Sequence, residues 1–331
     1  MSTLEPARSA PHDDARAASA GGPVARVEPV CPACHGPLER RPDGRRCGGC
    51  GAEYPRRANV DVLLAEDEWR DALAHLEEER PILEQYVRAR REAALNILYY
   101  DHWVARMLAE IPPGHAGPVL ELMCGGAEIC RRLPRRLRPA VALDLNVAMV
   151  EQAAADLARM GRDDVTVLCG TAARLPLPDA SMGVVLVQGG FHHAKPLLPV
   201  ILAEVARVLR PDGLLIASEP ANDFWLVRRV RHWQYAHSPM QGHDPGEDGF
   251  TQPELDAALR DAGLRLERYR RCGYVAYPLI GNTDVLPVLA RSRARWLGNA
   301  LLGIDRALEH VPVIGGMGWI SIFRGRRTAR P

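Results

Sequence analysis

Residues 119–129 read VLELMCGGAEI and residues 140–144 read AVALD, and these two stretches together decide the fold. The first opens as an apolar run, reaches Gly125 and Gly126, and continues with Ile129, Leu133 and Leu137 at helical spacing. That order predicts a strand, a tight glycine turn and a helix. With no side chains at Gly125 and Gly126 a ligand can approach the backbone, and free amides at the start of the following helix favour an electronegative group. The second stretch is another apolar strand, closed by Asp144. An acid at the end of that strand can accept both hydrogens of a ribose diol, the way open α/β sheets hold nucleoside cofactors.

Downstream the same alternation continues. Val147 to Met160 predicts a helix with Val150, Ala154, Leu157 and Ala158 as its buried stripe and Gly161 as its stop. Val165 to Leu168 and Gly183 to Val187 read as strands, the latter running into Gln188-Gly189-Gly190-Phe191-His192-His193. Polar side chains and glycines there fall at the C-terminal edge of a parallel sheet, where open α/β folds bind ligands. A helix with Ile201, Val205, Val208 and Leu209 on one face follows, then the turn Pro211-Asp212-Gly213 and a strand that exits through Ser218-Glu219-Pro220. Thr251-Gln252-Pro253-Glu254 offers a capping box, and its helix runs to Gly263. Strands alternating with helices predict a mainly parallel sheet covered by helices.

The chain is long enough, at 331 residues and 47% apolar, for one sizeable core and a small satellite. Its 42 Lys and Arg nearly balance 41 Asp and Glu, which disfavours nucleic acid as a partner unless a local patch exists. The N-terminal sequence lacks a secretory apolar run and no later stretch is apolar for long enough to span a bilayer, so the expected location is the cytoplasm, with no membrane span. Residues 1–28 carry no apolar period and read as a disordered tail. Residues 65–114 read as a helical linker or cap: from Trp69 to Ile111, with a break near Pro81, the positions Ile82, Tyr86, Ala89, Ala93, Ile97, Tyr100 and Val104 share a face.

Between tail and cap, residues 29–64 contain Cys31-x2-Cys34 and Cys47-x2-Cys50. Each pair can turn back to present two sulfurs to one ion, and four thiolates make a closed tetrahedral zinc site that cannot activate water. The expected role is structural Zn2+, which would supply most of the folding free energy of so small a module. Cys124, Cys130, Cys169 and Cys272 sit singly in apolar segments and read as core residues.

Four stretches, VLELMCGGAEI at 119–129, VALDLNVAMVEQA at 141–153, VTVLCGTAARLPLPDASMGVVLVQGGFHH at 165–193 and ILAEVARVLRPDGLLIASEP at 201–220, resemble the class I S-adenosylmethionine-dependent methyltransferases. The likeness is to the subgroup of ubiquinone, menaquinone and natural-product methyltransferases, and TQPELDAALRDAGLRLERYR at 251–270 is similar to their last crossover helix and strand. It implies a Rossmann-like α/β domain over residues 115–331 with a mainly parallel seven-stranded sheet. It further implies that S-adenosylmethionine has its methionine end against Glu121 and Gly125, its ribose on Asp144, its adenine near Asn146, Thr171 and Ala172, and Gln188 near the methyl donor. Met123, Cys124, Gly126, Leu145, Met149 and Gly170 would line the same crevice. The family's Gly-x-Gly-x-Gly loop is represented here by Met123, Gly125 and Ala127. The cysteine module resembles a zinc ribbon, known also on some ribosomal RNA guanine methyltransferases.

Methyl transfer needs orientation above all, and an O, N or carbon acceptor gains from a base. His192 and His193, at the active edge, are the candidate bases. The insertion at 221–250 mixes aromatic and polar side chains as a cover for a flat organic substrate would, or as an oligomer contact would. Candidate substrate contacts are Tyr100, Glu219, Trp225, His232, Trp233, Tyr235 and His237. The expected function is methylation of a small, aromatic or polyketide-like metabolite in natural-product or antibiotic biosynthesis, by a protein that could form a homodimer. The alternatives are an RNA base methyltransferase guided by the ribbon and its arginines, and a methyltransferase-fold protein with a non-methylating or scaffold role.

Overall fold

The computed structural model describes residues 26–66, 68, 92–115, 117–134, 136–237, 248–282 and 286–328, excluding the Tyr235 side chain. The tail through residue 25, the helical readings from Trp69 through Ala89, and residues 238–247 of the insertion lie outside the described residues.

Eleven strands form one sheet in the order β1-β2-β3-β4-β7-β6-β5-β8-β9-β11-β10. They are β1 (Leu38–Arg41), β2 (Gly44–Cys47), β3 (Glu53–Arg57), β4 (Val60–Leu63), β5 (Val119–Leu122), β6 (Ala140–Asp144), β7 (Val165–Gly170), β8 (Met182–Gln188), β9 (Leu209–Pro220), β10 (Leu264–Cys272) and β11 (Ile320–Arg327). The middle, from β4 to β9, is parallel. Both flanks are antiparallel. Seven of these strands, β5 to β11, fall within residues 115–331, and β1 to β4 extend them, so the expected seven-stranded, mainly parallel sheet is corrected to an eleven-stranded mixed one among the described residues. The reason is that the cysteine module is no detached satellite: β4 continues the sheet through Asp61 opposite Leu168, Val62 opposite Cys169 and Leu63 opposite Gly170.

The described helices are α1 (Ala94–Leu108), α2 (Val147–Arg159), α3 (Leu198–Val208), α4 (Trp225–His237), α5 (Gln252–Asp261), α6 (Pro287–Arg291) and α7 (Arg295–Leu308). The α5 capping box forms as expected, Thr251 and Glu254 each bonding the other's backbone amide. The face of α1 follows the sequence reading in part. Ala93, just before the helix, and Val104 are buried as expected, Ile97 and Tyr100 are only half-buried, and Leu95, Asn96, Tyr99, Trp103 and Met107 are buried as well. The buried stripe therefore shares the edge of the expected one and extends around the helix towards Asn96. Asn96 tolerates the core because its amide donates to the carbonyls of Ile280 and Gly281, both at 2.9 Å.

Among the described residues, the helix expected after Gly126 is replaced by a short 3-10 turn, Cys130–Arg132, and Leu133 is already extended at ψ 127°. Pro134 explains this, because a residue before proline is driven out of the α region. The predicted turn at 211–213 is a bulge inside β9, where the register to β8 jumps from Leu209 to Leu214.

Candidate active site and metal centre

The parallel strands bring β5, β6, β7, β8 and β9 to one C-terminal edge. Asp144 closes β6 half-buried, its Oδ2 accepting the Gly125 amide at 2.7 Å and its Oδ1 the Asn146 amide at 2.9 Å. Burial raises its pKa above the usual range, against those two amides and the charge of His193. Asn146 also caps α2, accepting from the Met149 amide at 3.0 Å. Thr171 Oγ1 accepts from the Ala173 amide and so holds the turn after β7. Gly170 and Ala172 are buried beside it, whereas Leu145 is largely exposed.

The loop after β5 keeps a backbone suited to glycine with only one of three glycines. Met123, Gly125 and Ala127 have φ of 55°, 48° and 56°. This left-handed conformation costs a non-glycine residue roughly 1–2 kcal/mol. Cys124, at 6% exposure, bonds back to Leu143 through its amide, and Gly126 is half-buried. Met149 lies against Gly125, where an added Cβ would meet its Cε at 3.2 Å. Across the edge, Met123 packs on Gly190, where an added Cβ would stand 2.8 Å from Met123 Cβ and 2.6 Å from its Sδ. Gly190→Ala is therefore expected to cost about 1–3 kcal/mol in urea unfolding. Met123→Gly in the same chain should recover most of that loss, and additive effects would show that the two loops do not touch.

Glu121 supports this loop from below. It is 3% exposed, and its carboxylate accepts the amides of Ile129 at 3.0 Å and Cys130 at 2.6 Å. The amides that the sequence offered to a ligand are thus taken by Glu121, and burial pushes its pKa up to about 7. Burial likewise raises the thiols of Cys124 and Cys130, and those of Cys169 and Cys272 to about 12, as inert core cysteines require.

Gln188 is half-buried at the end of β8 and pairs in register with Ser218. The next turn carries His192, 8% exposed, and the exposed His193, with ring centroids 4.0 Å apart. Glu219 faces this turn. Helix α1 crosses the same edge: Trp103 donates to Ser218 Oγ at 3.0 Å, and Asp101 pairs with Arg132. Trp103 and Ser218 were not singled out in the sequence. The available signal was the i, i+4 pair of Tyr99 and Trp103, which stack at 5.6 Å. Tyr100 meets Tyr99 edge-on.

The candidate contacts on α4 are not gathered at this edge by any recorded bond. Trp225 and Trp233 are 67% and 63% exposed. His232 bonds Asp248 at 3.1 Å and His237 bonds the Trp233 carbonyl. The side chain of Tyr235 lies outside the described residues.

In the cysteine module all four sulfurs lie within 4.8 Å of one another, with Cys34 to Cys47 at 3.4 Å and Cys31 to Cys50 at 3.7 Å. Those separations suit a tetrahedron of thiolates at about 2.3 Å from one ion and are far beyond a disulfide bond at about 2.05 Å. The Cys50 amide foremost, then that of Gly49, lowers Cys47 to about 6 against desolvation. Its arginines are paired: Arg45 and Arg56 on Asp61, Arg40 on Glu28, Arg41 on Glu39, Arg46 on Glu53, Arg57 on Glu151. In the cluster after the glycine turn, Arg131 pairs with Asp156, Arg132 with Glu128 and Arg138 with Asp164. Among the described residues, no helix is long and apolar enough to cross a membrane.

Residues 120–217 match the family of methyltransferase domains. An uncharacterised methyltransferase of Mycobacterium tuberculosis is 37% identical over 145 residues, 43% of this chain and 54% of the relative. The malonyl-[acyl-carrier protein] O-methyltransferase of Alcanivorax borkumensis is 31% identical over 179 residues, 52% of this chain and 58% of the relative. The chain thus spans a little over half the length of these curated relatives. A chain of the Haloferax volcanii complex between the Trm112 methyltransferase activator and a methyltransferase superposes with a TM-score of 0.52. It is 19% identical and covers 77% of this chain and 98% of that one, a likeness of fold alone. Residues 120–217 are thus similar to methyltransferase domains, and the parallel strands and helices that carry them have a Rossmann-like order.

Proposed function

We propose that this protein transfers the methyl group of S-adenosylmethionine to an oxygen, nitrogen or activated carbon of a small organic metabolite in natural-product biosynthesis. The observation that carries the reading is Asp144. The amides of Gly125 and Asn146 hold its two oxygens, the Leu145 amide also favours its charged form, and the carboxylate so fixed is an acceptor for the hydroxyls of a ribose. Gly125 supports the methionine end, Asn146 and Thr171 flank the adenine, and Gln188 borders the donor. Bound S-adenosylmethionine supplies an electrophilic methyl carbon, and the protein's task is to aim the acceptor at it and keep water out.

A small acceptor is favoured over RNA because Arg45, Arg56, Arg131 and Arg138, which could otherwise neutralise phosphates, are engaged with carboxylates. The Alcanivorax relative, by its name, methylates an acyl group on a carrier protein, an organic acceptor rather than a nucleic acid. The four cysteines hold one structural Zn2+ in this reading, with no open position for chemistry.

Calorimetry tests it. Wild-type protein binds S-adenosylmethionine and S-adenosylhomocysteine, and Asp144→Ala weakens both. Two hydrogen bonds to a charged acceptor are worth about 1.5–3 kcal/mol each, so the loss is on the order of 100-fold or more. Asp144→Asn, which keeps one acceptor, falls between. Unchanged affinity in a folded Ala variant removes the ribose role, and a wild type that binds neither nucleoside removes the enzyme reading.

A further inference from the structure

Glu219 is 1% exposed at the end of β9, and four donors converge on its carboxylate. Oε1 accepts the amides of Gly190 at 3.0 Å and Phe191 at 2.8 Å; Oε2 accepts the amide of His192 at 3.3 Å and its ring Nδ1 at 2.8 Å. We infer that Glu219 is a positioning residue that fixes His192 as the Nδ1–H tautomer, making Nε2 the base that takes the acceptor's proton. The inference rests on the methyl-transfer reading above for its reaction, but not for its geometry.

Three amides from one turn hold the carboxylate so that it cannot swing away from the ring. A carboxylate is an acceptor only, so the imidazole nitrogen facing it must carry hydrogen, and the lone pair of a neutral ring is then on Nε2. The same contact stabilises the imidazolium once Nε2 is protonated, as an orienting acid does for a catalytic histidine. Position agrees with that use. Gly189, at φ 64°, brings the chain back immediately after Gln188, and a Cβ there would stand 3.7 Å from His192 Cε1. His193 lies against the ring, tilted by 38°, and is close enough to Asp144 for its charge to act on that carboxylate. Among the described residues, the charged and titratable groups around His192 include Glu219 on β9, His193 on its own turn and, past His193, Asp144 on β6. This sets the imidazole pair between the ribose acid and the end of β9.

In the transfer, the bond from acceptor to methyl carbon forms as the sulfur–carbon bond breaks, and the released pair goes to sulfur. The acceptor's proton passes to His192 Nε2, Glu219 balances the imidazolium, and the proton then leaves to solvent. With its carboxylate taken by four protein donors, Glu219 acts on the acceptor through His192 in this proposal rather than as a direct substrate contact.

Nitrogen-15 NMR of the histidine side chains, at a pH where His192 is neutral, reads the tautomer directly. In wild type, His192 is expected to be protonated on Nδ1. In E219Q the carboxamide can present its NH2 to the ring, so the shifts of Nδ1 and Nε2 should exchange places. Affinity for S-adenosylhomocysteine should stay within about twofold, since Glu219 is not assigned to the nucleoside. An Nε2–H tautomer in wild type overturns the inference, as does a folded E219Q with the wild-type pattern. Should E219Q fail to fold, the wild-type tautomer alone decides. Should the wild type bind no S-adenosylhomocysteine, the methyl-transfer reading fails while the tautomer still judges Glu219.

Discussion

Removing the proposed zinc ion from the four-cysteine site is expected to melt the small strands β1 to β3 and to weaken nucleoside binding at residues far along the chain from Cys50. A small zinc module draws roughly 10 kcal/mol or more of apparent folding free energy from its metal. The burial pattern agrees in kind: β1 buries none of its four residues and β3 only Tyr54, while the three buried positions of β2 are Gly44, the ion-paired Arg45 and the candidate ligand Cys47, so little of the burial is apolar. Strand β4 differs, with all four residues buried. One of them is Asp61, 5% exposed, whose oxygens are held by Arg45 at 2.7 Å and Arg56 at 2.6 Å. Both arginines come from the metal-dependent part. Losing them leaves a buried carboxylate without its partners, a change that typically costs 3–5 kcal/mol. Asp61 stands opposite Leu168, and two positions on, Leu63 stands opposite Gly170, the residue before Thr171. The disturbance therefore reaches the turn assigned to adenine. Chelation, or Cys47→Ser, should remove hydrogen-exchange protection from residues 38–57 and reduce affinity for S-adenosylhomocysteine in calorimetry. Protection that survives verified metal removal would show that the module folds on its own packing.

The sequence was most readable where one local rule acted alone. Apolar runs of strand length gave β5, β6 and β8, and the Thr251–Glu254 spacing gave the start of α5. It was least readable where a neighbour distant in the chain decided the outcome. The face of α1 turns on Asn96 reaching Ile280 and Gly281, more than 180 residues later, a partnership no periodicity can reveal. The pairing of β4 with β7 was hidden for the same reason, since a CxxC module normally announces an independent unit. The missing helix after Gly126 was a different failure, because Pro134 was there to be weighed against Leu133 and Leu137. At the candidate site, residue types at the sheet edge were legible but their division of labour was not. Asp144, His192 and Glu219 all ended strands or turns in the sequence, yet only the geometry separates a carboxylate fixed by the amides of Gly125 and Asn146 from one surrounded by four donors.

Glu121 should make the domain less stable as the solution is taken from mildly acid to mildly alkaline pH. Its pKa rises from an ordinary 4.5 to about 7 on folding, chiefly by burial, opposed by the Ile129 and Cys130 amides, with Glu128 adding a smaller like-charge effect. The folded state therefore binds this proton more tightly than the unfolded state. Its contribution is fully present below about 4.5 and is lost as pH climbs through about 7. At 1.36 kcal/mol per pKa unit the whole swing is on the order of 3 kcal/mol. Other acids pull the opposite way: Asp164, Asp223, Asp248 and Glu267, each held below the usual range by arginine or hydrogen-bond partners, favour folding above acid pH. The pH profile of the wild type alone is therefore ambiguous, but these acids are common to wild type and Glu121→Gln and cancel in the difference. Glutamine keeps an acceptor for one of the two loop amides and turns a donor towards the other, a cost that is the same at every pH, and it cannot ionise. Between pH 5 and pH 8, urea unfolding should show wild type losing up to about 3 kcal/mol relative to the glutamine variant. A difference that stays flat across that range would mean the carboxylate is solvated or already paired in solution. The expected slope exists because the loop beneath the proposed donor site is held by an acid that burial disfavours in its charged form, while the two amides it accepts favour that same form.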